Sequence, residues 1–188
     1  MSTPLRLAQP NEVEIVRMQL KAALAETFGH VPQFAQRELA RFSAPYLRAL
    51  INAKRGYVFI VEHEGRRAGF MLSGPENGNL VYYWGYIDPA HRKGGLALSS
   101  MAQFVRHWDN NRFHKITAYT TAENRVAQLL MQRNGFHQVA KLDKHILGQD
   151  FIQFERHLNK ILPGYDESVV LALRDIVKLR FNAKFKRA

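Results

Sequence analysis

The run Tyr86-Ile87-Asp88-Pro89-Ala90-His91-Arg92-Lys93-Gly94-Gly95-Leu96-Ala97 holds the residues of this chain whose types and spacing could do chemistry. Two adjacent glycines let the backbone turn tightly and let an anion approach without a Cβ in the way. A helix that opens just after them points free N–H groups, and the positive end of its dipole, at the same place. Arg92 and Lys93 add formal positive charge. This order of residues makes a phosphate or pyrophosphate site. The plainer reading is that Gly94-Gly95 only shapes a loop, since short glycine motifs often match by chance. No Gly-Lys-Ser/Thr follows, so the run is not a P-loop, and the third glycine of the dinucleotide fingerprint is missing.

The elements that must position this run can be read from hydrophobic period. Leu5 to Ala8 reads as a short edge strand. Asn11 caps a helix expected over 12–27, with Val13, Val16, Leu20, Ala23 and Leu24 at helical spacing. A second helical stretch carries Phe34, Leu39, Phe42, Leu47 and Leu50. The period then changes: 57–62 and 68–73 are strands joined by a turn at 63–66, a hairpin. The cluster at 74–79 reads as a turn, and 80–87 as a third strand dense in aromatics. A helix with Leu98, Met101, Val105 and Trp108 on one face follows the glycine pair. Next come a strand over 115–120 and a short helix over 124–133 with Val126, Leu129 and Leu130 inward. Gly135 stops that helix, and closing strands are expected at 136–141 and 146–154. This order predicts an α+β fold, a mixed and mostly antiparallel sheet flanked by helices. The expected domain covers residues 1–157. After Pro163-Gly164, an extra C-terminal helix is expected over 167–183, within a basic extension over 158–188.

The chain has 188 residues, 46% hydrophobic and 23% charged, the balance of an ordinary globular protein. No stretch approaches the roughly 20 apolar residues that span a bilayer, and the start lacks the charged and apolar regions of a signal peptide. No cysteine is present, which excludes disulfides and thiol nucleophiles and agrees with an intracellular, cytoplasmic setting. The net charge of +11 favours anionic partners such as nucleic acid, an acidic protein surface or a phosphorylated cofactor.

The glycine run resembles motif A of the GCN5-related N-acetyltransferase superfamily, whose pattern Arg/Gln-x-x-Gly-x-Gly/Ala is filled by Arg92, Gly95 and Ala97. Asn124-Arg125-Val126-Ala127 through Arg133-Asn134-Gly135-Phe136 is similar to its motif B, and Ala68-Gly69-Phe70 to its Gly-Phe strand. The resemblance covers about residues 1–157. It implies the acyl-CoA N-acyltransferase fold, acetyl-CoA as cosubstrate, and transfer of an acetyl group to an amine acceptor by direct attack. It also implies that Tyr86, Ile87 and Asp88 give strand contacts to the pantetheine arm. Arg92, Lys93, Gly94, Gly95, Leu96 and Ala97 would bind the pyrophosphate, and Asn124 would bond near the cofactor while also serving as a helix cap.

One departure stands out. Many members carry a tyrosine four residues before the motif B glycine, where it protonates the departing thiolate; here that residue is Met131, which has no proton to give. For the base, the candidates are Glu62, Glu64 and Glu76 near turns and Tyr83 on the third strand; Tyr83 and Glu62 are taken as the catalytic candidates. The aromatics Tyr82, Tyr83, Trp84 and Tyr86 read as alternating residues that pack both faces of a central strand. The eight histidines show no metal-ligand spacing, so no metal site is expected. The alternative is a retained fold with weak or lost catalysis, acting as a binding component of a larger assembly. The helix at 167–183 suits self-association or a protein partner, and its basic end leaves nucleic acid open.

Overall fold

The computed structural model describes residues 4–52, 56–92 and 94–161. The expected helix at 167–183 lies outside these, as does Lys93. A seven-stranded sheet carries the fold: β1 (Leu5–Leu7), β2 (Val58–His63), β3 (Arg66–Glu76), β4 (Asn79–Ile87), β5 (Lys115–Thr121), β6 (His137–Ile146) and β7 (Gln149–His157), in the order β1-β2-β3-β4-β5-β7-β6. Every neighbouring pair is antiparallel except β4 with β5. Between β1 and β2 lie α1 (Val13–Phe28), α2 (Pro32–Arg41) and α3 (Ala44–Asn52). Helix α4 (Leu96–Trp108) links β4 to β5, and α5 (Arg125–Arg133) links β5 to β6.

The sheet divides the core into two layers. Phe59 of β2 and Tyr82 of β4 meet Phe104 of α4, at ring-centroid distances of 5.6 and 5.2 Å. Trp84 lies on the other face and meets Phe28 of α1 and Phe34 of α2 at 6.0 and 6.3 Å. Trp108 and Tyr57 close the α4 layer 5.3 Å apart, both fully buried. Among the described residues no helix is long and apolar enough to cross a membrane.

Several local expectations are corrected. The second helical stretch is two helices, broken at Phe42, whose ψ of 52° leaves the helical region. Pro45 causes the break: it has no N–H for Arg41 and its ring would meet that carbonyl, but it fits the first turn of a new helix. The turn expected at 74–79 is only Asn77-Gly78, both at positive φ, and β3 runs through Pro75 to Glu76. Pro75 is tolerated because β2 ends at Val58, opposite Leu72, so no strand needs the missing N–H. The last hairpin turns at Leu147-Gly148, again both at positive φ, one residue beyond where the second closing strand was expected to start. On α5 the buried residues are Gln128 and Met131, while Val126 is 81% and Leu129 48% exposed. Gln128 sets that rotation, donating its Nε2 to the Ala122 carbonyl at 2.8 Å. Leu98, expected inward on α4, is also exposed.

Gly69 of the Gly-Phe strand pairs with Ile87, and a Cβ there would sit 2.0 Å from the Tyr86 carbonyl oxygen. The close approach of β3 to β4 therefore requires glycine. Gly69→Ala is expected to destabilise the fold by ~1–3 kcal/mol, the usual cost of overpacking, read as a lowered urea midpoint at unchanged slope.

Candidate active site

The site begins where the sheet comes apart. β4 and β5 pair only through Leu80–Tyr82 and Ile116–Ala118. Beyond them the strands diverge, so Tyr83 to Ile87 on β4 have no strand partner on the β5 side among the described residues. A bulge marks the point: Leu72 pairs with Trp84 but Ser73 pairs with Tyr82, leaving Tyr83 as the extra residue. A bulge bends its strand and re-aims side chains. Here it ends the alternation expected for the aromatics. Tyr83 and Trp84 both face α1 and α2, with Tyr83 5.3 Å from Phe42 and Trp84 against Phe28 and Phe34. Gly85 is the trace of this in the sequence, since a Cβ there would meet the Tyr82 hydroxyl at 1.6 Å, and a glycine inside a strand is a bulge signal.

The gap opens into a cavity of about 390 Å³. Its walls are Val81 to Gly85 of β4, Tyr119 to Thr121 of β5, and Asn124, Ala127, Leu130 and Met131 on or capping α5. The ends of α1 and α2 and the β6–β7 hairpin close the other side through Phe28, Phe34, Glu38, Arg41, His145 and Phe151. Gln149 and His30 meet at 2.8 Å beside it and tie that hairpin to the α1–α2 turn.

At the far end of β4 the chain forms the glycine loop. Asp88 caps a short 3-10 turn over Pro89–His91, accepting from the Ala90 N–H at 3.0 Å. Gly94 and Gly95 both adopt positive φ, 76° and 75°, and a Cβ on either would meet nothing within 4 Å. Gly95 caps α4, and among the described residues the first N–H groups of the helix, Leu96 to Leu98, meet no acceptor outside it. An anion fits here: the glycines leave room, no described residue takes up the first amides, and the helix dipole is favourable. The Arg92 Nε donates to the Ile87 carbonyl at 2.9 Å, and its Nη2 donates to both Glu26 oxygens at 2.8 and 2.6 Å.

The other expected site residues are placed as follows. Asn124 caps α5 through its Oδ1, which accepts from the Ala127 N–H at 3.0 Å, and it also lines the cavity. Tyr83 lines the cavity near Glu76, with the Arg41 guanidinium 4.6 Å above its ring. Burial, then the Glu76 charge, hold its phenol far above the usual tyrosine range, so at neutral pH it donates and does not take up a proton. Glu62 stands at the β1–β2 edge, where Arg6 Nε donates to it at 2.7 Å, and is not among the cavity residues. Glu64 is in the exposed first hairpin turn, at φ 51°. The residue sequence reading missed is Glu38 of α2, a buried carboxylate in the cavity wall that accepts from Trp84 Nε1 at 2.8 Å. Register also brings together His137, Glu155 and His157, with ligand atoms within 4.8 Å. Lys115 Nζ already donates to Glu155 there at 2.8 Å, and none of the three lines the cavity.

The chain belongs to the acetyltransferase (GNAT) family, whose model matches residues 20–136. Solved structures share the fold at low identity. YncA from Salmonella typhimurium, with its cofactor acetyl-CoA, is 16% identical with a TM-score of 0.67, covering 87% of this chain and 98% of its own. PaiA N-acetyltransferase from Thermoplasma acidophilum, in complex with coenzyme A, is 15% identical with a TM-score of 0.66, covering 84% and 99%. Ribosomal-protein-alanine N-acetyltransferase from Brucella melitensis is 16% identical with a TM-score of 0.62, covering 82% and 99%. No curated protein matches the chain in sequence.

Proposed function

We propose that this protein is an N-acetyltransferase that moves an acetyl group from acetyl-CoA to an amine acceptor by direct attack. The observation that carries it is the unpaired stretch of β4, which runs from an apolar cavity at one end to a bare, positively polarised glycine loop at the other. That is the shape needed to hold a phosphorylated carrier along its length. YncA and PaiA, which share the fold, hold acetyl-CoA and coenzyme A.

When bound, acetyl-CoA supplies the acetyl group as an activated thioester. Gly94, Gly95 and the α4 amides from Leu96 onward hold the pyrophosphate, with Arg92 beside them and Lys93 in the same loop. The backbone of Tyr86, Ile87 and Asp88 aligns the pantetheine arm, and N–H groups on the open edge of β4 polarise the carbonyl. Asn124 borders the same end of the cavity. Met131 has no proton to give, so water or the Tyr119 hydroxyl on the facing wall protonates the leaving sulfur. The carboxylates available to an incoming amine are those lining the cavity, Glu38 and Glu76, with Tyr83 as a donor between them and the strand. In this reading residues 1–157 form the catalytic domain and 158–188 an appended basic segment.

Calorimetric titration with acetyl-CoA, followed by thiol release on adding amines, tests the proposal. Micromolar binding and amine-dependent release are expected; a folded protein that binds no acetyl-CoA refutes it. Glu26 competes with the pyrophosphate for Arg92, so Glu26→Gln is expected to tighten acetyl-CoA binding ~2–5-fold, with the gain shrinking as salt screens the exposed pair.

A further inference from the structure

The acceptor end of the cavity carries a charge opposite to that of the protein. Its charged wall residues are Glu38, Glu76 and Arg41, beside His145. Arg41 is spent on Glu76, to which its Nη2 is bound, and on the Tyr83 ring. Its Nη1 stays 3.7 Å from Glu38 Oε1, beyond hydrogen-bond reach. The Glu38 carboxylate therefore has one good donor, Trp84 Nε1 on Oε2, while Oε1 has none among the described residues. Of Glu38, Glu76 and Arg41, the wall holds one carboxylate more than it holds guanidinium groups, in a chain whose net charge is +11. Burying a carboxylate this incompletely paired is costly.

The rings that line the same cavity form a continuous aromatic wall. Phe34 meets Phe28 at 4.2 Å, Phe28 stacks on Phe151 at 6.1 Å, Phe151 meets His145 at 6.0 Å, and His145 stacks on Tyr119 at 6.1 Å. Trp84 stands beside Phe28 and Phe34 with its N–H turned to Glu38. A cation at Oε1 would face both a carboxylate and aromatic faces, which attract it by different terms.

We infer that the acceptor is a primary amine carried on an apolar or aromatic arm, bound as its ammonium by Glu38 and giving up the extra proton to that carboxylate or to water before it attacks, with the ring wall as the subsite for the arm. The inference rests on the acetyltransferase reading above. Two sources supply this chemistry: a free arylalkylamine, and the α-amino group of a peptide whose first side chain is large and apolar. Amines on polar arms, such as amino sugars, leave the ring wall unsatisfied.

The test uses the full chain with acetyl-CoA, thiol release as the readout, and three acceptors: phenethylamine, a short peptide with a free N-terminal phenylalanine, and glucosamine. One of the first two is expected to exceed glucosamine in kcat/KM by at least ~10-fold, and which one does so identifies the source. Glu38→Gln keeps an oxygen for the Trp84 N–H and removes the charge. It is expected to raise KM for the better amine ~10-fold, the usual size of a charge-assisted contact, and so to lower kcat/KM, with no change in acetyl-CoA affinity. A second measurement needs no variant: with coenzyme A bound, wild-type protein should bind phenethylamine at least ~10-fold tighter than its neutral isostere 2-phenylethanol. Preference for glucosamine, turnover of neither apolar-arm amine, equal binding of amine and alcohol, or an unmoved KM in Glu38→Gln overturns the inference. In each of those cases acetyl-CoA still binds. A protein that does not bind acetyl-CoA overturns the underlying reading instead.

Discussion

Gly95→Trp is expected to weaken acetyl-CoA binding by at least ~100-fold, equal to ~2.7 kcal/mol, while leaving the protein folded. At φ 75° a side chain is strained, and its Cβ would project into open space in front of the uncapped α4 amides. The strain costs ~1–3 kcal/mol and falls on stability; the bulk falls on the ligand. Gly65→Trp separates the two effects. Gly65 sits at φ 74° in the first hairpin turn, also with nothing within 4 Å of a Cβ, so Gly65→Trp carries the same strain in a different turn and should bind acetyl-CoA normally. Calorimetry on both variants, with thermal melts alongside, reads the difference. Equal affinity in Gly95→Trp and wild type would remove the loop from the site.

The largest stability effect is expected at Glu12. Its carboxylate is almost fully buried where β1 enters α1 and accepts four hydrogen bonds. Arg6 Nη1 and Nη2 donate at 2.7 and 2.8 Å, Arg67 Nε at 2.9 Å and the Gln9 N–H at 2.9 Å. Bonding to Arg6, with smaller help from the Gln9 amide and Arg67, outweighs burial and lowers its pKa to about 2 from an ordinary 4.5. Because the folded value is the lower one, the unfolded chain takes up the proton first as acid is added. The stabilisation is full above about pH 4.5 and is lost as pH falls from there toward 2. Glu12→Gln leaves two guanidinium groups facing an amide and should cost ~3 kcal/mol at pH 7. Urea midpoints at pH 7 and between pH 5 and 3 check this: the variant should start lower and show a flatter acid limb. A variant as acid-sensitive as wild type would show that other carboxylates set that limb.

Much of this fold could be read in advance because each strand and helix has a clear period and each tight turn a residue suited to positive φ. Glu64-Gly65 and Asn77-Gly78 fix two hairpins by local chemistry. The glycine loop before α4 was legible for the same reason: glycines, a helix start and Arg92 are close together in the chain. Features that depend on distant partners were not legible. Val126 and Leu129 look inward by spacing, yet a hydrogen bond from Gln128 to Ala122 turns them outward. The bulge at Tyr83 depends on the register between β3 and β4, and only Gly85 hints at it. Glu38 looks like any helix-surface carboxylate, because its Trp84 partner lies 46 residues along the chain.

Among the described residues, three residue pairs between β4 and β5 are the only strand pairing across the middle of the sheet. The protein on its own is thus a sheet with an unfinished seam. A molecule lying in that gap, as acetyl-CoA does in the proposed function, would tie both margins together, so its abundance would set the cohesion of the fold as well as the rate of turnover. At a hundred times its dissociation constant such a ligand adds ~2.7 kcal/mol to the folded state, a large fraction of the margin by which most domains stay folded. Scarcity of the cosubstrate would then do more than idle the enzyme: it would shorten the lifetime of the chain.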